Sequence, residues 1–168
     1  KKPAIAMRHF QAVVSAHPAD AAALGALLQT QIALRRTAEA RATAAQLLQV
    51  LPAADRRVSE VGAMLASSGD YTGAIPALEQ AHRASPKSVD AAYNLALALF
   101  RAGREEHALR VLRQFDKNAQ ALNLIGAIEE NRGRYENAKS PFSRAAALEP
   151  LNEAFRIDAA AVLVRDAD

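Results

Sequence analysis

The chain has 168 residues, a net charge of +3 at neutral pH, and 51% hydrophobic but only 5% aromatic residues. A chain of that length can bury a sizeable core. It has no apolar run long enough to span a bilayer, and with zero cysteines it has no disulfides and no thiolate metal sites.

In chain order the helical pattern starts at once. Ala6, Phe10 and Val13 fall on one face, and Pro18 closes the segment. Asp20 then has the chemistry and place of an N-cap, as do Asp55, Ser88 and Asn118 further on. Between Asp20 and Pro52 two helices are expected, with Arg35 near their turn. From Val58 the sequence reads Val61, Gly62 and Leu65 to Gly69, then Tyr71, Ala74, Ile75, Leu78 and Ala81 to Pro86. Pro76 is expected near the first turn of its helix, where a missing N–H does least harm. Val89–Ala102 has helical spacing without a breaker, Gly103 permits a left-handed turn, and Arg104–Phe115 is helical again. No segment alternates as a half-buried strand does. The pattern predicts about ten helices in one domain.

Two residue types keep one clock. Ala6, Ala40, Ala74, Ala108 and Ala138 are spaced 34, 34, 34 and 30. Pro18, Pro52, Pro86 and Pro150 are spaced 34, 34 and 64, the last being one full and one shortened interval. A fixed period of this size marks a solenoid whose units bury their apolar sides against each other. Ala108 to Phe115 keeps the seven-residue spacing of Ala74 to Ala81, so the shortening falls after Phe115 and the third second-helix ends about one turn early. Four residues is close to the helical repeat of about 3.6, so the buried face survives.

These residues resemble the tetratricopeptide repeat. The clearest unit runs from Ala119 to Pro150, with Ile125-Gly126, Gly133, Tyr135, Ala138, Phe142, Ala145 and Pro150. Residues 55–88 and 89–118 follow the same pattern. Residues 21–54 are degenerate, with Arg35 in place of the turn glycine, Gln31 at a usually apolar position and Ala44 where a larger group packs. Residues 1–20 are similar to a second helix without its first, and residues 153–168 to a first helix without its second. The resemblance implies an all-α fold, a right-handed α-α superhelix of about ten antiparallel helices with four complete repeats (21–54, 55–88, 89–118 and 119–152). The chain begins Lys1-Lys2-Pro3 and reads as a fragment of a longer protein. Its alanine- and arginine-rich usage suggests a bacterial source, in either the cytoplasm or the periplasm.

The resemblance also implies where a partner binds, because first helices of this family line a groove that takes an extended peptide or a short helix. By register the facing positions include Gln29 in the first repeat and Arg56, Ser59, Glu60 and Ala63 in the second. The third contributes Tyr93, Asn94, Leu97, Phe100 and Arg101, and the fourth Gln120, Asn123, Leu124, Glu130 and Asn131. Tyr93, Leu97 and Phe100 form an apolar stripe flanked by the Asn94 and Asn123 amides, which both donate and accept. Family members that clamp a C-terminal carboxylate use lysines, an arginine and asparagines. Those places hold Ser59, Ala63, Asn94, Gln120 and Leu124 here, so a carboxylate would lack a charge-assisted partner.

Catalytic chemistry is not expected. His9, His17, His82 and His107 have no second histidine three or four residues away, and the seven glycines are isolated. Glu105-Glu106 and Glu129-Glu130 are adjacent on helices, point in different directions, and read as solvated faces. The basic stretch around Arg35, Arg36, Arg41, Arg56 and Arg57 lacks stacking aromatics. The expectation is a non-catalytic scaffold with a protein or peptide partner, no cofactor, no metal, no nucleic acid and no membrane insertion. Its exposed terminal helices offer a route to a homodimer. Two alternatives stay open: a regulatory or substrate-presenting arm of a larger enzyme such as a transferase, and a structural part of a bacterial secretion, pilus or envelope assembly.

Overall fold

The computed structural model describes residues 2–165, apart from the side chain of Lys2. Among the described residues there are ten α-helices, one 3-10 turn and no strand. They fall into two compact units, Lys1–Pro86 and Lys87–Asp168. The first unit holds α1 (Lys2–Ala16), α2 (Ala21–Ala33), α3 (Thr37–Val50), α4 (Arg56–Ser67) and α5 (Tyr71–Ala84). The second holds α6 (Val89–Arg101), α7 (Glu105–Leu112), α8 (Ala119–Asn131), α9 (Tyr135–Leu148) and α10 (Glu153–Arg165). No helix among the described residues is long and apolar enough to cross a membrane.

The helices start and stop for local reasons. Asp20 accepts from the backbone N–H groups of Ala22 and Ala23, Asp55 from Arg57, Ser88 from Ala91 and Asn118 from Ala121. Each cap satisfies donors that the first turn leaves free. The four hairpins α2–α3, α4–α5, α6–α7 and α8–α9 all turn in the same way. A residue with positive φ (Arg35 at 56°, Gly69 at 86°, Gly103 at 76°, Gly133 at 69°) reverses the chain. The next residue donates back to a carbonyl five positions earlier, as Arg36 does to Gln31 and Asp70 to Leu65. Glycine adopts this conformation freely, while Arg35 holds it against a steric penalty.

The periodic alanines mark where helices touch. Ala40, Ala74, Ala108 and Ala138 are all buried. Beside them each hairpin sets a small residue under a large one. A Cβ on Gly62 would lie 2.6 Å from Leu78, and one on Gly126 would lie 2.7 Å from the Phe142 ring. Ala96 and Leu112, both buried, occupy the same register in α6–α7. In the degenerate first hairpin the sizes are exchanged, with Leu28 and Ala44 in those two places, again both buried.

The shortened interval lies where the spacing put it. α3, α5 and α9 each run 14 residues, whereas α7 runs 8 and tightens into a 3-10 turn over Arg113–Phe115. One expectation is corrected. Pro76 is the sixth residue of α5, beyond the first turn, and the helix continues through it.

Candidate functional site

In the first unit α2 packs against α4. They enclose a cavity of about 350 Å³. Ala21, Ala22, Gly25 and Ala26 keep the α2 wall low, and Leu47, Val61 and Met64 make the rest apolar. A Cβ on Gly25 would meet nothing within 4 Å, so that wall stands open. The polar lining is Gln29, Arg57 and Glu60.

Gln29 and Glu60, both expected at a binding face, thus meet at one cavity. Arg56 sits 3.3 Å from Glu60, but its side chain extends into solvent and does not line the cavity, whereas Arg57 does. The Arg57 guanidinium is neutralised by Asp55, to which it donates at 2.7 Å through Nη2 and 3.0 Å through Nε. These hydrogen bonds hold the Asp55 carboxyl at about 2, well below its ordinary range.

In the second unit, Tyr93, Leu97 and Phe100 follow one another by four and three residues along α6 and are all half-buried. They make a continuous stripe on one helix face. Asn94 and Arg101 are exposed along its edge. Asn123 on α8 donates from Nδ2 to Asp158 Oδ2 on α10 at 3.1 Å. Its Oδ1 is buried and has no hydrogen-bond partner, so one acceptor is left over. Glu130 on α8 accepts from Arg165 on α10. Asn123 and Glu130 therefore already tie α8 to α10.

Other placements differ from the sequence reading. Leu124, expected on the binding face, is buried. The positions in its register, Glu60 and Asn94, are exposed, but an apolar side chain there gains by folding onto its neighbours. Glu105, Glu106 and Glu129 are not simply solvated. They surround Arg132, whose side chain is largely buried, with Glu105 at 3.7 Å, Glu129 at 3.6 Å and Glu106 in direct hydrogen bond. Arg132 lowers the Glu106 pKa chiefly through that bond. Sequence reasoning also missed Ile157 and Val164 on α10. They lie 34 residues after Asn123 and Glu130, in the register of those two positions, and both are exposed. A larger cavity, of about 460 Å³, opens at the hairpin turns of the first unit. Of its polar lining, Ser67 and Ser68 bond to the carbonyls of Met64 and Leu65 and Asp70 bonds to Arg41, and the Arg35 and Thr37 side chains complete it.

Successive antiparallel helix pairs closing on a buried alanine, with a left-handed turn in each, define an α-helical tandem-repeat protein. Residues 65–128 match the family model of the tetratricopeptide repeat. The match covers the middle of the chain, and the fold is the all-α solenoid of tetratricopeptide-repeat proteins. MamA from Desulfovibrio magneticus is 19% identical over 90% of this chain and 88% of its own, with a TM-score of 0.61. YrrB, described as a TPR protein with an unusual peptide-binding site, is 18% identical over 94% of this chain and 84% of its own, at 0.59. PilF of Pseudomonas aeruginosa is 13% identical over 99% of this chain and 72% of its own, at 0.62. At these identities the likeness is one of fold. No curated protein matches the sequence. Tetratricopeptide-repeat proteins generally act as protein-interaction scaffolds without catalysis of their own, and this chain has that architecture.

Proposed function

We propose that the chain holds a peptide or short helix of a partner protein on the exposed faces of its first helices. In the first unit the contacts come from Gln29, Arg56 and Glu60. In the second they come from Tyr93, Asn94, Leu97, Phe100, Arg101, Asn123 and Glu130. The observation that carries this reading is the half-buried Tyr93–Leu97–Phe100 stripe bordered by the exposed Asn94 amide. Apolar side chains of a guest gain by covering the stripe, while amides fix its backbone. The small-walled cavity between α2 and α4 supports the same reading in the first unit. The peptide-binding site named for YrrB supports it by analogy.

The test is selection of a displayed random-peptide library on the purified chain, followed by calorimetry with the winning peptides. Asn94→Ala combined with Leu97→Ala should weaken binding at least about tenfold, the effect of losing roughly 1.4 kcal/mol. Peptides that bind the double variant as well as the parent place the site elsewhere. A library yielding no binder refutes peptide capture altogether.

A further inference from the structure

We propose that the cavity at the hairpin turns of the first unit binds a carboxylate, with Arg35 as its anchor. The backbone gives the first indication. Each of the four hairpins needs a residue with positive φ at the same place, and three of them use glycine. The first uses Arg35, at 56°. A side chain in that conformation is strained, and glycine makes the same turn without strain. What glycine lacks is a guanidinium, and Arg35 lines the cavity of about 460 Å³. Strain kept where a less strained residue would serve the turn points to a use for the side chain.

The charges around the turn single out the same group. Arg36 and Arg41 are the arginines nearest to it in sequence, and both are committed. Arg36 donates to Glu39 at 2.8 Å, and Arg41 donates to Asp70 through Nε and Nη2. The Arg35 guanidinium has no ion pair and no hydrogen bond among the described residues. Asp70, the other charged residue of the cavity wall, also accepts from the Gly73 N–H at 3.0 Å. Arg41 balances its charge, so the wall carries one uncompensated charge, that of Arg35. One guanidinium matches one carboxylate, with which its fork makes two parallel bonds. A phosphate dianion would bring one more negative charge than the wall balances.

The rest of the lining narrows the ligand. The Thr37 hydroxyl has no partner among the described residues and supplies a second donor beside Arg35. Ser67 and Ser68 commit their hydroxyl hydrogens to the carbonyls of Met64 and Leu65, at 2.9 and 2.7 Å, which leaves their lone pairs as acceptors. A carboxylate therefore finds its donors at the start of α3, not at the end of α4. Ile32, Ala40 and Leu65 make the apolar part of the wall. The ligand class is a monocarboxylate on a short aliphatic stem, with the stem against Ile32 and Leu65. A free aliphatic acid and the glutamate side chain of a partner both have this chemistry. The cavity shares no lining residue with the one between α2 and α4, and nothing in it requires peptide capture on the first helices.

The experiment is an NMR titration of the full chain with hexanoate and, separately, with N-acetyl-glutamate N-methylamide; hexanamide is the uncharged control. Ionic strength is held constant so that screening is not read as competition. Saturable shifts should centre on Thr37, Ser67, Ser68 and the Arg35 side chain. Arg35→Gln, which keeps the length and removes the charge, should weaken acid binding about tenfold or more, as loss of a charge-assisted hydrogen bond does. Arg35→Gly should lose binding to the same extent with its helicity intact and its melting temperature no lower than the parent's, which separates loss of the site from loss of the fold. The tighter of the two acids identifies the source, hexanoate a free acid and the blocked glutamate an acidic side chain, and either supports the site. A parent with no saturable response to either acid up to roughly 50 mM overturns the proposal. So does hexanamide binding as tightly as hexanoate, or either Arg35 variant binding as tightly as the parent.

Discussion

Asp70 offers the sharpest test of how the first unit is held together. It caps α5 by accepting from the Gly73 N–H at 3.0 Å. It also accepts two bonds from Arg41 on α3, at 2.7 Å from Nε and 2.5 Å from Nη2. The Asp70 side chain is 5% exposed and that of Arg41 49%. Loss of a capping oxygen costs about 1 kcal/mol. The ion pair adds a further ~1 kcal/mol, no more, since the half-exposed arginine is screened and becomes solvated when its partner goes. Asp70→Ala should therefore destabilise by about 2 kcal/mol. Asp70→Asn keeps an acceptor for the cap and should lose about half of that. The acid response has a definite sign. Hydrogen bonds from Arg41, more than any other cause, lower the Asp70 pKa below 3.8, against the opposing effect of burial. The ionised form thus stabilises the fold above the unfolded-state value, and that contribution disappears as pH falls through the folded one. In urea titrations followed by helicity, the gap between parent and Asp70→Asn should be largest at neutral pH and shrink below pH ~4. A gap that persists in acid, or an Asp70→Ala variant as stable as the parent, refutes this account.

Two further substitutions probe the hairpins. Arg35→Gly should stabilise by about 0.5–1 kcal/mol, because relief of a left-handed penalty of ~1–2 kcal/mol outweighs the extra unfolded-state entropy of glycine; a lower melting temperature contradicts this. Gly126→Ala should destabilise by about 1–3 kcal/mol through overlap with the Phe142 ring. Gly25→Ala, where a Cβ meets nothing, should instead gain up to ~1 kcal/mol of helix propensity. Thermal denaturation of the two variants in parallel checks the contrast.

How much of this could be read in the sequence depended on the range of the interaction. Caps at Asp20, Asp55, Ser88 and Asn118 act within three residues, so residue type and position sufficed. The alanine clock is long-range but repeated, and repetition itself exposed it. Arg35 stood out as the exception to a rule that three glycines obey, and its φ of 56° shows the conformation conserved at a cost. The polar ties were illegible because each occurs once. Arg41 and Asp70 are 29 residues apart, and Asn123 and Asp158 are 35 apart, with other charged or amide groups equally close in register. Which of them meet depends on side-chain reach and rotamer. The same holds for Arg132, whose convergence with Glu105, Glu106 and Glu129 depends on α7 packing against α8. At the candidate site the clock supplied the helix faces. It did not show that Asn123 and Glu130 are already bonded to α10.

The size exchange in the first hairpin leads to one more prediction, in which two damaging changes should cancel. Leu28 and Ala44 occupy the places that hold Gly62 and Leu78 in the next hairpin, and all four are buried. If what matters is the summed volume at this contact, either large-over-small order will serve. Leu28→Ala alone leaves a void and should cost about 2–5 kcal/mol. Ala44→Leu alone overfills the contact and should cost about 1–3 kcal/mol. Together they recreate the Ala96–Leu112 arrangement of α6–α7, so the double variant should lie within about 1.5 kcal/mol of the parent. The coupling energy in a double-mutant cycle would then exceed that expected of independent sites, roughly 0.5 kcal/mol at most. Strictly additive losses would show that the two side chains do not share one volume. The degenerate repeat would then be held by contacts other than the one that organises its neighbours.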